Sequence, residues 1–265
     1  MSDRRKAIFF DIDGTIFDTK ARIIPENTVR AIEETRQNGH LCFINTGRTK
    51  SLVVPMITDY VGFDGLLLGC GTMITYGEIC LLHHSFSTEM SEKIIEELSK
   101  RRIDVILEGS DALFFMDDDA YHYKVFRKYA SRYQDSKHPG VCNAAGRFDK
   151  FFAYTEDPDE MNLFMEEFKG ELEMVDREEG YYEILPCGFS KATAIDFIVQ
   201  KFGIPIEDTA AIGDSNNDLA MLEKAGTAIA MRRSSEAVLE MADYVTGDVE
   251  RDGIRQALKW LNVIG

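Results

Sequence analysis

The chain has 265 residues, enough for two compact domains or one large one, and its 45% hydrophobic and 29% charged composition is globular rather than disordered. Lys and Arg total 30 against 46 Asp and Glu, a net charge of −16, which argues against nucleic acid as partner and against a polybasic membrane anchor. No window approaches the roughly 20 uninterrupted apolar residues of a membrane-spanning helix. The basic stretch 1–6 leads into no signal-peptide core and the five cysteines form no CxxC pair, so a cytoplasmic protein with reduced thiols is expected.

In chain order, the first apolar run, 7–10, ends at Asp11 and Asp13. Pro25 opens a helical pattern with apolar positions at Val29 and Ile32, and Gly39 closes it. Runs 41–44 and 66–68 follow, ending at Asn45-Thr46-Gly47 and at Gly69. Uninterrupted apolar runs of this length predict strands covered on both faces, as in a parallel sheet. From about His83 to Cys187 the character changes, and strand-like segments 105–107, 113–116 and 151–154 share the region with amphipathic helices. One helix, near 157–168, begins with Asp157 as N-cap, Pro158 at N1 and Glu160 at N3, which predicts a capping box. Alternation then resumes with helix 192–202, strand 209–212 ending at Gly213-Asp214, helix 217–224, strand 227–231, helix 235–241, a weaker strand 243–245 and helix 251–261. This pattern predicts an α/β fold with a doubly wound, parallel, Rossmann-like core and an inserted α+β domain. The expected division is a core of 1–82 and 188–265 and a cap of 83–187, with linkers near 82–86 and 186–190.

In an open α/β sheet, ligands bind outside the carboxyl ends of the strands. Asp11 and Asp13 follow the first strand, Thr46 the second and Asp214 the fourth, so carboxylates distant in sequence converge. Like charges packed together need a cation or a shared proton, and oxygen-only ligands suit a hard ion such as Mg²⁺. One strand-end Asp alone is commonly just the cap of a turn; the whole set is not so explained. Asp13 stands two residues past Asp11 and shares its face if the strand persists, where it can protonate a leaving oxygen and later deprotonate water. Gly14 permits a sharp exit from the strand.

Asp11-Ile12-Asp13-Gly14-Thr15, Thr46-Gly47-Arg48, Lys191 at the head of a helix, and Gly213-Asp214-Ser215-Asn216-Asn217-Asp218 resemble, in order, the four motifs of the haloacid dehalogenase-like phosphatases. The resemblance covers the whole chain, and the insertion after the third strand is similar to the Cof-like branch with its large α/β cap. It implies a Mg²⁺-dependent phosphohydrolase that acts on a small phosphorylated metabolite, a sugar phosphate foremost, through an aspartyl-phosphate. It further implies that Asp11 is the nucleophile and a metal ligand, that Asp13 is the general acid/base with its backbone carbonyl on the metal, and that Asp214 completes the metal set. Thr46, the Gly47 amide, Lys191 and Asn217 would hold the transferring phosphoryl group, and Asp218 would orient Lys191 or the metal waters. The same motifs admit a sugar-phosphate phosphomutase. A catalytically idle phospho-ligand-binding protein is the other alternative, which loss of Asp11 or Asp13 would have signalled. A monomer or small homo-oligomer is expected.

Other features divide between structural and functional readings. Lys191 in a first helical turn opposes the macrodipole, which suits a solvated side chain or, with an anion present, a binding site. Asp218 in a first turn is favourable in either reading, and Arg48 stands open between a phosphate contact and an ion pair. Gly69-Cys70-Gly71 is not a dinucleotide loop, since Ile74 replaces the third glycine. It departs from the Asn-Gly-Ala often found there in the family, and Asn45 is another departure, expected to be neutral. His83 and His84, adjacent in a strand, point to opposite faces and cannot share one ion. Asp117-Asp118-Asp119 reads as a solvated turn, and Tyr121, His122, Asn143 and Arg147 are candidates for substrate selection.

Overall fold

The computed structural model describes residues 4–53, 57, 62–115 and 148–265. Asp117-Asp118-Asp119, Tyr121, His122, Asn143 and Arg147 lie outside the described residues. The chain divides into two compact units, one of Met1–Gly47, Pro55–Leu82 and Ser190–Gly265, the other of Arg48–Val54 and His83–Phe189.

The first unit is built on an eight-stranded sheet. Its strands are β1 (Ala7–Phe10), β2 (Leu41–Asn45), β3 (Gly65–Leu68), β4 (Met73–Tyr76), β5 (Ile79–His83), β11 (Thr209–Gly213), β12 (Ala228–Ala230) and β13 (Tyr244–Val245), in the order β13-β12-β11-β1-β2-β3-β4-β5. From β13 to β3 every pairing is parallel. Among the described residues, this unit carries the helices α1 (Glu26–Gln37), α4 (Lys191–Phe202), α5 (Leu219–Lys224), α6 (Glu236–Met241) and α7 (Gly253–Trp260). Phe9 and Phe43 pack with Ile195, Ile198, Met221 and Val238 on one face. Ile8 and Phe10, which point the other way along the strand, are equally buried, and that is why these strands read as unbroken apolar runs.

Register sets the site. Phe10 lies opposite both Ile212 and Ile44, so Asp11, Gly213 and Asn45 leave three adjacent strands at one level. Strand β4 was not visible in the apolar pattern. Gly69, Cys70 and Gly71 all take positive φ and turn the chain back, so β4 pairs antiparallel with β3.

The second unit carries a five-stranded sheet of β6 (Asp104–Glu108), β7 (Leu113–Phe115), β8 (Lys150–Tyr154), β9 (Leu172–Asp176) and β10 (Tyr181–Pro186), ordered β7-β6-β8-β10-β9 with antiparallel pairings. Helices α2 (Thr88–Ser99) and α3 (Pro158–Glu167) cover one face, where Ile94, Leu98, Met161 and Phe164 pack on Val105, Leu107, Phe151 and Ala153. Asp157 does cap α3, but through the Asp159 N–H at 3.1 Å, and Glu160 lies 3.8 Å from Arg101 instead of closing a box. The segment Arg48–Val54, expected with the first unit, clusters here. Ser51 Oγ donates to the Gly109 carbonyl at 2.8 Å, and Leu52 packs with Ile106, Leu113 and Phe152.

Candidate active site

Strand β1 ends at Phe10, and two residues further on the chain enters a turn. The N–H groups of Thr15, Ile16 and Phe17 all point to the Ile12 carbonyl, at 3.3, 3.1 and 2.9 Å. The strand therefore does not persist to Asp13, which instead forms an isolated bridge with Phe17. Gly14 sits at φ +83° inside this turn, and a Cβ there would lie 2.4 Å from Asp214 Oδ2. Both conformation and space demand glycine. Thr15 Oγ1 then donates to Asp214 Oδ1 at 3.2 Å, joining the loop after β1 to the loop after β11.

The second loop is wrapped around Asp218. Its Oδ2 accepts the backbone N–H groups of Asp214 and Ser215, both at 3.0 Å, and Ser215 Oγ donates to Asn217 Oδ1 at 2.5 Å. A Cβ on Gly213 would fall 2.7 Å from the Asp218 side chain, so Gly213 is what lets the loop fold this tightly.

The third part is the head of α4. Ser190 is its N-cap: Ser190 Oγ accepts the Thr193 N–H at 3.1 Å and Thr193 Oγ1 accepts the Ser190 N–H at 2.9 Å. That box starts the helix at Lys191, which is buried rather than solvated, at 2% exposure. Its Nζ lies 2.6 Å from Asp11 Oδ1 and 2.5 Å from Asp218 Oδ1. A cation in a first helical turn is unfavourable on its own. Two buried carboxylates reverse the balance here.

Carboxylate oxygens of Asp11, Asp214 and Asp218 all lie within 4.8 Å of one another. Burial first, and then the Asp218 charge, push the Asp11 carboxyl up to about 7. Burial, with Asp11 and Asp218 behind it, pushes Asp214 up to about 8. Burial works against the Lys191 ammonium, but Asp11 and Asp218 outweigh it and its pKa is raised. Three carboxylates thus lie together while the Lys191 ammonium bonds two of them, Asp11 and Asp218, and this donor set fits a further cation.

Thr46 is buried where β2 ends, with its N–H donating to Leu67 O and its carbonyl accepting the Cys70 N–H, each at 2.9 Å. Gly47 follows it in the chain. Arg48 falls in the second unit, where its guanidinium donates to the Leu52 carbonyl at 3.1 Å. Strand β5 ends at His83, so His84 lies beyond the strand expected to hold both. His83 meets Asp149 at 3.1 Å while His84 stacks on Phe189 at 4.7 Å, so the two imidazoles have separate partners. Thr15, Ser190, Thr193 and Ser215 were not singled out in the sequence. Only the capping spacing of Ser190 and Thr193 could have suggested the second and third, and Thr is a weaker signal there than Glu or Gln.

The haloacid dehalogenase-like hydrolase profile matches residues 8–258. Over 98% of both chains, 32% of residues are identical to YkrA of Bacillus subtilis strain 168. Also from that strain, the 5-amino-6-(5-phospho-D-ribitylamino)uracil phosphatase YitU is 25% identical over 98% of each chain. Among solved structures, the HAD subclass IIB sugar phosphatase BT4131 superposes with a TM-score of 0.81 at 25% identity, over 98% of this chain and all of the other. This chain belongs to the haloacid dehalogenase-like hydrolases, as a phosphatase of the Cof type. Among the described residues, no helix is long and apolar enough to cross a membrane.

Proposed function

We propose that the chain hydrolyses the phosphate monoester of a small metabolite, a sugar phosphate foremost, with Asp11 as nucleophile and Asp13 as general acid/base. The observation that carries this reading is the convergence of Asp11, Asp214 and Asp218, with the Lys191 ammonium bonded to Asp11 and Asp218. The Asp11 carboxylate attacks phosphorus as the ester P–O bond breaks, and Asp13 protonates the departing oxygen. Asp13 then takes a proton from water, whose oxygen attacks the aspartyl-phosphate and releases inorganic phosphate and free Asp11. Lys191, Thr46, the Gly47 amide and Asn217 hold the phosphoryl oxygens, and Asp218 holds Lys191 in place.

Asp11, the Asp13 backbone carbonyl and Asp214 would hold Mg²⁺. The bound ion would supply positive charge to keep the buried carboxylates ionised and to balance the phosphoryl oxygens. Substrate selection is assigned to the segment 83–187. Relatives named for a sugar phosphate and for a ribitylamino-uracil phosphate share the whole length of this chain, which supports choice of substrate outside the common motifs.

The test is phosphate release from p-nitrophenyl phosphate and a panel of sugar phosphates. Activity should vanish after exhaustive EDTA treatment, return with Mg²⁺ and return poorly with Ca²⁺, because in-line transfer requires near-octahedral geometry. Full activity in the chelated protein would overturn the metal assignment.

A further inference from the structure

Asn45 closes β2 and is fully buried beside Thr46. By sequence it was expected to be a neutral neighbour of the phosphate-binding threonine. Its Nδ2 donates to the main-chain carbonyl of Lys191 at 2.8 Å, while its Oδ1 is buried without a hydrogen-bond partner. Burying an amide with one end unsatisfied carries a desolvation cost, which the bond to the Lys191 carbonyl offsets in part. The bond it does make therefore calls for an explanation beyond packing.

That bond ends on a particular peptide. Lys191 is the first residue of α4, and its ammonium sits between Asp11 and Asp218. The Ser190–Thr193 box organises the helix head internally, but both of its members belong to the same turn. The Asn45 amide instead reaches from the sheet, and from β2, whose neighbour β1 carries Asp11 at the same level. It thus links the element that bears the cation to the strand next to the one that bears the nucleophile. We propose that Asn45 is a positioning residue: by tying the Lys191 peptide to the end of β2, it sets the reach of the ammonium to Asp11 and to the phosphoryl group. This rests on the role given to Lys191 under the proposed function.

The test compares Asn45→Ala and Asn45→Asp with the parent and with Lys191→Met, at saturating Mg²⁺. It reads kcat and KM for p-nitrophenyl phosphate, inhibition by inorganic phosphate, and thermal unfolding. Asn45→Ala should lower kcat about tenfold, the scale of one neutral hydrogen bond, with a smaller change in KM and weaker phosphate inhibition. Asn45→Asp should lose more, because its carboxylate would face the Lys191 carbonyl acceptor to acceptor. In the Lys191→Met background Asn45→Ala should cost nothing further, since both changes act through one group. A folded Asn45→Ala with parental kcat overturns the inference, as does an equal loss in both backgrounds. If Lys191→Met does not fold, the order of the two Asn45 variants decides, and Asn45→Asp at or above Asn45→Ala overturns it. A folded Lys191→Met with parental activity removes the Lys191 assignment itself and the inference with it, whereas an inactive Lys191→Met beside a fully active Asn45→Ala removes only the inference.

Discussion

Asp11 owes its chemistry to its neighbours. Lys191 draws its carboxylate towards the ionised form, while burial, Asp218 and Asp13 push the other way and prevail, leaving it near 7. An ionised carboxylate is what nucleophilic attack needs, so the Mg²⁺ of the proposed function would decide how much of Asp11 is reactive at neutral pH. Asp11→Asn should abolish turnover with an unchanged circular-dichroism spectrum, because an amide is a very poor nucleophile towards phosphorus. More than a tenth of parental kcat in that variant would rule out the covalent route. Asp13→Asn should lower kcat by ~10²–10⁴-fold through lost proton transfer, measured as steady-state phosphate release with a good and a poor leaving group. The poor leaving group should suffer more, since it depends more on protonation.

At the scale of elements, the site is made by three termini: the turn after β1, the loop after β11 and the head of α4. Each is locally over-determined. Gly14→Ala would force an L-residue to φ +83° and push its Cβ against Asp214, so it should lose Mg²⁺-dependent activity more than thermal stability. A variant with activity intact and Tm sharply lower would contradict this placement. Ser190→Ala removes the acceptor for the Thr193 N–H and should cost about 1 kcal/mol in urea unfolding. Sequence patterns found the strands and most helices of this unit because their apolar runs are local. They missed β4 and the antiparallel turn into it, since nothing local announces that Cys70 will adopt the left-handed conformation between two glycines; of β5 only its end at His83 reads as strand from sequence. The α3 box failed for a related reason. Glu160 had two uses open to it, and its proximity to Arg101, far away in sequence, prevailed.

For the molecule as a whole, the net charge of −16 includes a buried cluster of three carboxylates, two of which bond the Lys191 ammonium. Asp11 and Asp214 have folded pKa values raised to about 7 and about 8, above the ordinary carboxylate value of 3.8. The folded protein therefore holds protons that the unfolded chain has released. Without metal, this part of the stability is fully present below the unfolded value and is lost as pH rises from about 4 through about 8. A cation that binds the ionised cluster should reverse the loss, and its effect should grow over the same range. The increase in Tm on adding Mg²⁺ is expected to be small at pH 5.5 and clearly larger at pH 8, measured by calorimetry against EDTA-treated protein. An increase independent of pH would place the ion away from Asp11 and Asp214.

Sequence by itself determined the alternating α/β core, the motif residues and their order, because apolar periodicity and strand-end polar residues are properties of short windows. Asp11, Asp13, Thr46 and Asp214 could be placed at strand ends on type and spacing, whereas Lys191 was reached only through the resemblance to the family's motifs. Tertiary structure decided what those residues are to one another. It made Lys191 a buried cation and turned Asp13 out of the strand. It brought Asp218 into contact with Lys191 while its other oxygen accepts the backbone N–H groups of Asp214 and Ser215. It also gave Asn45 a partner 146 residues away. Burial, charge coupling and a hydrogen bond across such a separation depend on which strand ends stand side by side. That neighbourhood exists only once the sheet has assembled with Phe10 opposite both Ile44 and Ile212.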